Sequence, residues 1–236
     1  MEFLKKFFAF FIVLIVSAVL SLPVKNAISN TRVDASNVDS LRASIGSGSV
    51  FAILGGYRSI VADFVWIKSY VAWEKCDVSK CISSMELACA ISPQVISFWT
   101  EGAGIIAYDV PHWLWKRLPK KMRTQERLET FKRRQATQAM IFIDKGLLMY
   151  PKNYRLLICK GQIAVSVNRF VEAEKVFKRA VEVDDGFYAR RIYASLLIKN
   201  GKIAEGKKQL ESILADATPD NPVRKQILYQ LESLKQ

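Results

Sequence analysis

Histidine is almost missing from this chain: among 236 residues His112 is the only one. That scarcity removes Ser-His-Asp and Cys-His chemistry from everywhere except the neighbourhood of residue 112, and it leaves zinc-type sites short of ligands. His112 lies between Pro111 and Trp113 in an expected loop, and Asp109 nearby brings neither a nucleophile nor a second ligand. Glu101, in a Glu-Gly-Ala-Gly run, is a single carboxylate without a tuned partner. Cysteine is scarce as well, with four in the chain. Cys76 and Cys81 lack the paired Cys-x-x-Cys spacing of a metal site; in an oxidising compartment they would bridge a turn only if their α-carbons came within about 7 Å. Cys89 and Cys159 read as small buried apolar residues. The Gly-Ser-Gly-Ser at 46–49 is not followed by Gly-Lys-Ser/Thr, so it lacks the lysine of a phosphate loop. No catalytic residue, metal ligand or cofactor site is assigned, and the chain is read as not an enzyme.

Acidic residues are the second shortage. Against 35 Lys and Arg stand 22 Asp and Glu, a formal charge of +13. Such an excess favours an acidic partner, whether nucleic acid, anionic lipid head groups or an acidic protein face.

A long uncharged run occurs once. Lys5 and Lys6 precede FFAFFIVLIVSAVLSLPV, a length sufficient to cross the roughly 30 Å hydrocarbon core as a helix. A cleaved signal has the same charged start but a small-x-small exit, and Val19-Leu20-Ser21 is a poor one. Residues 1–24 are therefore expected to be an uncleaved, single-pass inner-membrane anchor, followed by a polar linker over 25–49. The short head predicts an exported, periplasmic body. Lys25, Arg32 and Arg42 blunt the charge bias, so a cytoplasmic body stays open.

The stretch ILGGYRSIVADFVWIKSYVAW, residues 53–73, is apolar but carries Arg58, Asp63 and Lys68. Each ionised side chain costs about 2.5–3.5 kcal/mol at mid-bilayer, and steps of five residues set them about 140° apart on a helix. A second span is excluded, and a long, largely buried helix remains.

The C-terminal half shows what that helix belongs to. NRFVEAEKVFKRAVEVDD, from Asn168, slides onto GKIAEGKKQLESILADAT, from Gly201, with Phe170 on Ile203, Glu172 on Glu205, Ala173 on Gly206, Phe177 on Leu210 and Ala180 on Ile213. An offset of this size signals stacked helical hairpins, and 34 residues is the tetratricopeptide period. Small residues mark where paired helices cross, and a large apolar residue fills the gap to the next hairpin. In this frame a first unit from about Ala62 places Ser69, Ala72, Cys81, Met85, Ala88 and Pro93, and a third from about Tyr154 places Gly161, Ala164, Ala173, Phe177 and Ala180. The second unit holds Trp99 and Ala103 but carries about 24 extra residues before Pro151, a basic insert at about 109–132. Trp113–Arg134 has nine Lys or Arg against Glu126 and Glu129.

LGGYRSIVADFVWIKSYVAW, FWTEGAGIIAYDVPHW and YARRIYASLLIKNGK together resemble a family of bacterial membrane-anchored tetratricopeptide-repeat proteins, over about residues 50–205. The resemblance implies a short N-terminal span and an all-helical body with an enlarged second repeat, but no particular activity. The expectation is an all-α fold: a transmembrane helix, then a tetratricopeptide-like solenoid of about four hairpins over 50–236, with turns near 76–79, 168 and 199–201 and a capping helix from Pro222.

First helices of stacked repeats line a groove, and the frame puts Asp63, Trp66, Tyr70, Trp73, Tyr108, Arg155, Tyr188 and Arg191 there. Aromatic and arginine side chains suit a protein partner, although Trp66 and Trp73 fit the core equally well. The insert offers a second surface, Trp113, Trp115, Lys116, Arg117, Lys120, Lys121 and Arg123, where indoles and cations together suit anionic lipid. It lacks a recognised nucleic-acid motif. The chain is read as a membrane-anchored scaffold holding a protein partner in a bacterial envelope assembly, with polyanion or membrane-surface binding by the insert as the alternative.

Overall fold

The structure is a computed structural model that describes residues 57–218 and 220–234. The expected anchor over 1–24 and linker over 25–49 lie outside the described residues. The chain divides into two compact units, Met1–Val61 and Ala62–Gln236. Of the first only Tyr57–Val61 is described, so the architecture below is that of the second. Among the described residues there is no strand, and no helix is long and apolar enough to cross a membrane.

The helices are α1 (Arg58–Glu74), α2 (Val78–Ile91), α3 (Ile96–Gly104), α4 (Val110–Arg117), α5 (Gln125–Met149), α6 (Tyr154–Ser166), α7 (Phe170–Val183), α8 (Phe187–Lys199), α9 (Ile203–Asp216) and α10 (Pro222–Ser233). They pair in sequence as hairpins. The repeat frame rests on the turns between the paired helices, which are built identically in three hairpins. Cys76, Asn168 and Gly201 have positive φ values of 52°, 61° and 84°. Each donates its N–H three residues back, to Trp73, Val165 and Ile198, and the following residue donates five back, to Ala72, Ala164 and Leu197, all at 2.8–3.0 Å. This is the Schellman arrangement, which satisfies carbonyls that the helix end would otherwise leave bare. Gly201 adopts the left-handed conformation without a Cβ clash, and asparagine tolerates it better than most residues.

Packing follows the same register. The crossing positions Ser69, Ala103, Gly161 and Ala194 are buried on the first helices, and Cys81, Ala139, Ala173 and Gly206 on the second. The gap-filling positions Met85, Ile143, Phe177 and Leu210 are buried as well. A Cβ on Gly161 would sit 2.5 Å from the Phe177 ring, and one on Gly206 would sit 2.5 Å from Ile198 Cγ1 and 2.9 Å from the Ala194 carbonyl oxygen. The glycines are thus required by close helix approach. Full burial of a side chain such as Phe177 is worth about 1.5–3 kcal/mol. In the last hairpin the buried Arg190 replaces apolar packing with an ion-paired clamp: Nη1 lies 2.7 Å from Asp216 Oδ2, Nε 3.3 Å from Asp185, and Nη2 donates to Ser212 Oγ at 2.9 Å. α10 packs beyond α9 and supplies Ile227 to a core with Ala194, Leu210 and Ile213.

The second hairpin departs from the others. Its insert is helical rather than a loop, and His112 stands on α4. Pro111 has no N–H and its ring would clash with the preceding turn of an α-helix. The chain widens into a π-helical turn at Ile105–Asp109 just before it, and the run from Ile96 to Arg117 continues without a break. On the other side α5 starts at Gln125, capped by the Thr124 side chain, about ten residues earlier than a regular second helix would. Both arms of the hairpin are simply longer.

Candidate functional site

α3, the π turn and α6 enclose an open cleft of ≈ 400 Å³, lined by Thr100, Glu101, Gly104 and Tyr108 on one side and Tyr154, Arg155, Ile158, Cys159 and Gln162 on the other. The repeat register explains the lining. Thr100 and Ile158 hold the same repeat position of successive first helices, at which α1 carries Trp66 and α8 Arg191. Gly104 and Gln162 hold another, at which α1 carries Tyr70 and α8 Ser195.

Two hydrogen bonds extend the cleft to its neighbours. Tyr70 O–H donates to Glu101 Oε2 at 3.1 Å, and Gln162 Nε2 donates to the Tyr188 hydroxyl at 2.8 Å. Burial pushes the Tyr108 phenol above its ordinary value, while a hydrogen bond with Ser166 opposes that. Burial likewise raises Tyr154. Arg155 is exposed at the rim and makes no ion pair among the described residues. The Cys159 thiol, pushed up to about 11 by burial, stays protonated at neutral pH and its Sγ lies 3.6 Å from the Thr100 carbonyl oxygen. A protonated thiol is a poor nucleophile, so the cleft offers apolar walls, hydroxyl and amide groups, the Glu101 carboxylate and, at its rim, the Arg155 cation.

Of the eight groove residues expected from the sequence, Tyr108 and Arg155 line the cleft directly. Tyr70 reaches it through Glu101 and Tyr188 through Gln162. Trp66 is buried instead, stacked on Phe98 of α3 with ring centroids 4.5 Å apart, and belongs to the core. Trp73 is partly exposed but its indole N–H donates to Asp109 Oδ2 at 2.8 Å, and Asp63 and Arg191 lie outside the cleft. Thr100, Glu101, Gly104, Tyr154, Ile158, Cys159 and Gln162 were not among the expected residues; carrying the Tyr70 position through successive first helices finds Gly104 and Gln162 from the sequence.

The expected anionic surface is also redrawn. Trp113 is buried, edge-on to Trp73 at 6.3 Å, so it has no indole to offer a membrane. Trp115 donates Nε1–H to the Thr124 carbonyl at 3.0 Å and lies under the Arg123 guanidinium. Arg123 itself closes the end of α4, donating to the carbonyls of Leu118 at 2.9 Å and Lys116 at 2.6 Å, and Arg117 donates to the Cys76 carbonyl. These residues build the insert's tip. Lys116, Lys120 and Lys121 remain exposed, and so do Arg127, Arg133 and Arg134 on α5. Cys76 and Cys81 are not bridged: all four cysteines are free.

No protein-family model and no curated protein matches the chain. Among solved structures it is similar to TTC0263, a thermophilic TPR protein of Thermus thermophilus, at 16% identity over 72% of this chain and 81% of that one, with a TM-score of 0.47. It is also similar to yeast Tom70, at 13% identity and a TM-score of 0.38, covering 80% of this chain but only 44% of Tom70. A third is PilW, a type IV pilus biogenesis factor, at 12% identity over 92% of this chain and 98% of that one, with a TM-score of 0.38. At such scores the likenesses carry no argument, and the tetratricopeptide-type reading of these hairpins rests on their own turns and packing.

Proposed function

We propose that the chain is a non-catalytic scaffold that holds a segment of a protein partner in the cleft between α3 and α6. The observation that carries this is the cleft itself: it lies at groove-facing positions of consecutive hairpins, with aromatic walls and an unpaired Arg155 at its rim. Tyrosine and arginine are enriched among the side chains that anchor protein interfaces, tyrosine because its ring buries large area with few rotating bonds and arginine because its planar guanidinium can pair a carboxylate in two places. With the apolar run at 7–24 as anchor, the scaffold sits on the inner membrane, body on the periplasmic side, within an envelope assembly.

The test is site-specific photocrosslinking in cells, with p-benzoylphenylalanine at Tyr108 and, as comparison, at Lys178 on α7. Adducts to a defined protein from position 108 and none from 178 are the expected result; no adduct from 108 abandons the cleft. The anchor is tested separately: the full chain should stay with membranes through a carbonate wash, since an inserted helix does not depend on charge attraction.

A second reading keeps the insert as the working surface. Lys116, Lys120, Lys121, Arg127, Arg133 and Arg134 are exposed and make no ion pair among the described residues. Near an anionic bilayer each would contribute about 1 kcal/mol, fading over a Debye length of about 10 Å at 0.1 M salt.

A further inference from the structure

Gly104 is the exception among the helical glycines. Gly102, Gly146, Gly161 and Gly206 each face a neighbour that a Cβ would meet at 3.1 Å or less. A Cβ on Gly104 would meet nothing within 4 Å. Its backbone is ordinary right-handed helix, with φ −59° and ψ −48°, so no left-handed conformation calls for glycine either. In a helix interior glycine is about 0.8–1 kcal/mol less favourable than alanine. Neither internal packing nor backbone geometry accounts for it here. What distinguishes the position is the space in front of it, which is the cleft. At the same repeat position the other first helices carry Tyr70, Gln162 and Ser195.

We propose that Gly104 is the floor of a docking notch in which a partner polypeptide seats an apolar side chain next to an acidic one. This deepens the scaffold reading above and rests on it. The missing side chain lets the incoming group reach the α3 backbone, with Tyr108, Tyr154 and Ile158 as the apolar surroundings. The acidic neighbour follows from charge. Arg155 is the one cation among the lining residues, is exposed and makes no ion pair among the described residues, whereas the one lining carboxylate, Glu101, already accepts a hydrogen bond from the neutral Tyr70 hydroxyl and keeps its charge. The chain as a whole carries +13, which steers an acidic segment toward it. A basic segment could pair with Glu101 but would meet Arg155 at the rim and the repulsion of the chain's overall positive charge.

The experiment selects peptides from a random phage-displayed 12-mer library against the full chain, then measures the selected peptides by fluorescence anisotropy on three variants. Expected is enrichment of sequences pairing Leu, Ile or Phe with Asp or Glu. Their affinity should fall about tenfold or more on Gly104→Leu and on Arg155→Glu, a loss of about 1.4 kcal/mol per tenfold. Gly104→Ala keeps the test sound if the larger variant does not fold. It should raise the melting temperature by roughly 2–4 °C, the shift about 1 kcal/mol gives in a body of this size, while weakening the peptide. A purely structural glycine would do the reverse, losing stability and keeping affinity. Retained affinity in the Gly104 variants, or selection of basic peptides, overturns the notch. If crosslinks from Tyr108 persist in that case, the scaffold reading survives without it; if no peptide is selected and no crosslink forms, both fall together.

Discussion

The second hairpin and the two that follow it obey one repeat register and use it differently. In α6–α7 and α8–α9 the crossing glycines, Gly161 and Gly206, have a visible packing reason, and the turns close on the same pair of backbone hydrogen bonds. In the second hairpin both arms are lengthened, a π turn precedes Pro111, and a helical glycine faces open space. Regular hairpins show what the fold requires; the irregular one shows what the fold alone does not require. Features that cost stability without a packing return are where a partner's contribution is to be sought.

The largest effect that sharpens this contrast is in the regular part. Phe177→Ala should lower stability by about 3–5 kcal/mol, since it empties a fully buried site against Gly161 of α6. Trimming the exposed Tyr108 or Tyr188 to alanine should change the denaturation midpoint far less. Chemical denaturation followed by circular dichroism distinguishes them, and equal losses would erase the division between fold and groove.

Next in size is Gly161→Ala, where the new methyl would meet the Phe177 ring at 2.5 Å. Overpacking of this kind costs about 1–3 kcal/mol, more than the gain in helix propensity. The same substitution at Gly104 has the opposite expected sign, and thermal melts of the pair read that directly.

The first turn tests the register from another side. Cys76 holds the left-handed position that Gly201 holds in the last hairpin, at an expected strain of about 1 kcal/mol for a non-glycine residue. Cys76→Gly should therefore stabilise by roughly 0.5–1 kcal/mol, read as a rise in melting temperature. A loss would mean that the half-buried thiol contributes packing the backbone strain does not outweigh.

The 33-residue offset made the regular hairpins legible in the sequence, because Ala173/Gly206, Phe177/Leu210 and Ala180/Ile213 are the residues that do the packing. Turn positions followed from it. The insert was not legible as helix: Pro111 and the Pro119-Lys-Lys run look like loop, and the π turn that accommodates Pro111 leaves no composition signature. Trp66 and Trp73 were open to either face, since an aromatic at a first-helix position serves core or groove depending on how near the neighbouring helix comes, and Trp113 was placed on the surface because its segment was read as loop. Arg123 and Arg117 read as free charge because backbone carbonyls, their actual partners, are invisible in a list of side chains. The cleft needed the register carried through to Gly104 and Gln162, a step that residue type alone does not suggest.

An effect of similar size concerns how neighbouring regular hairpins are tied. Glu174 on α7 is buried and accepts from Asn200 Nδ2 at 2.7 Å and from Lys202 Nζ, both at the α8–α9 turn. Burial works against its ionised form, yet the Lys202 and Asn200 hydrogen bonds prevail and hold the carboxyl below its ordinary value of 4.5; the same bond raises Lys202. A carboxylate depressed in the folded state is fully stabilising above that ordinary value, and the contribution disappears as the pH falls through the lower folded one. Glu174→Gln should thus cost about 1 kcal/mol near neutrality, given that Lys202 is largely solvated, and the gap to wild type should close as the pH is lowered below the ordinary carboxyl value of 4.5. The equivalent α2 position, Ile82, has no carboxylate, so the first hairpin should show no such dependence. A gap that stayed constant with pH would assign the loss to side-chain packing and leave the α7-to-turn tie uncharged.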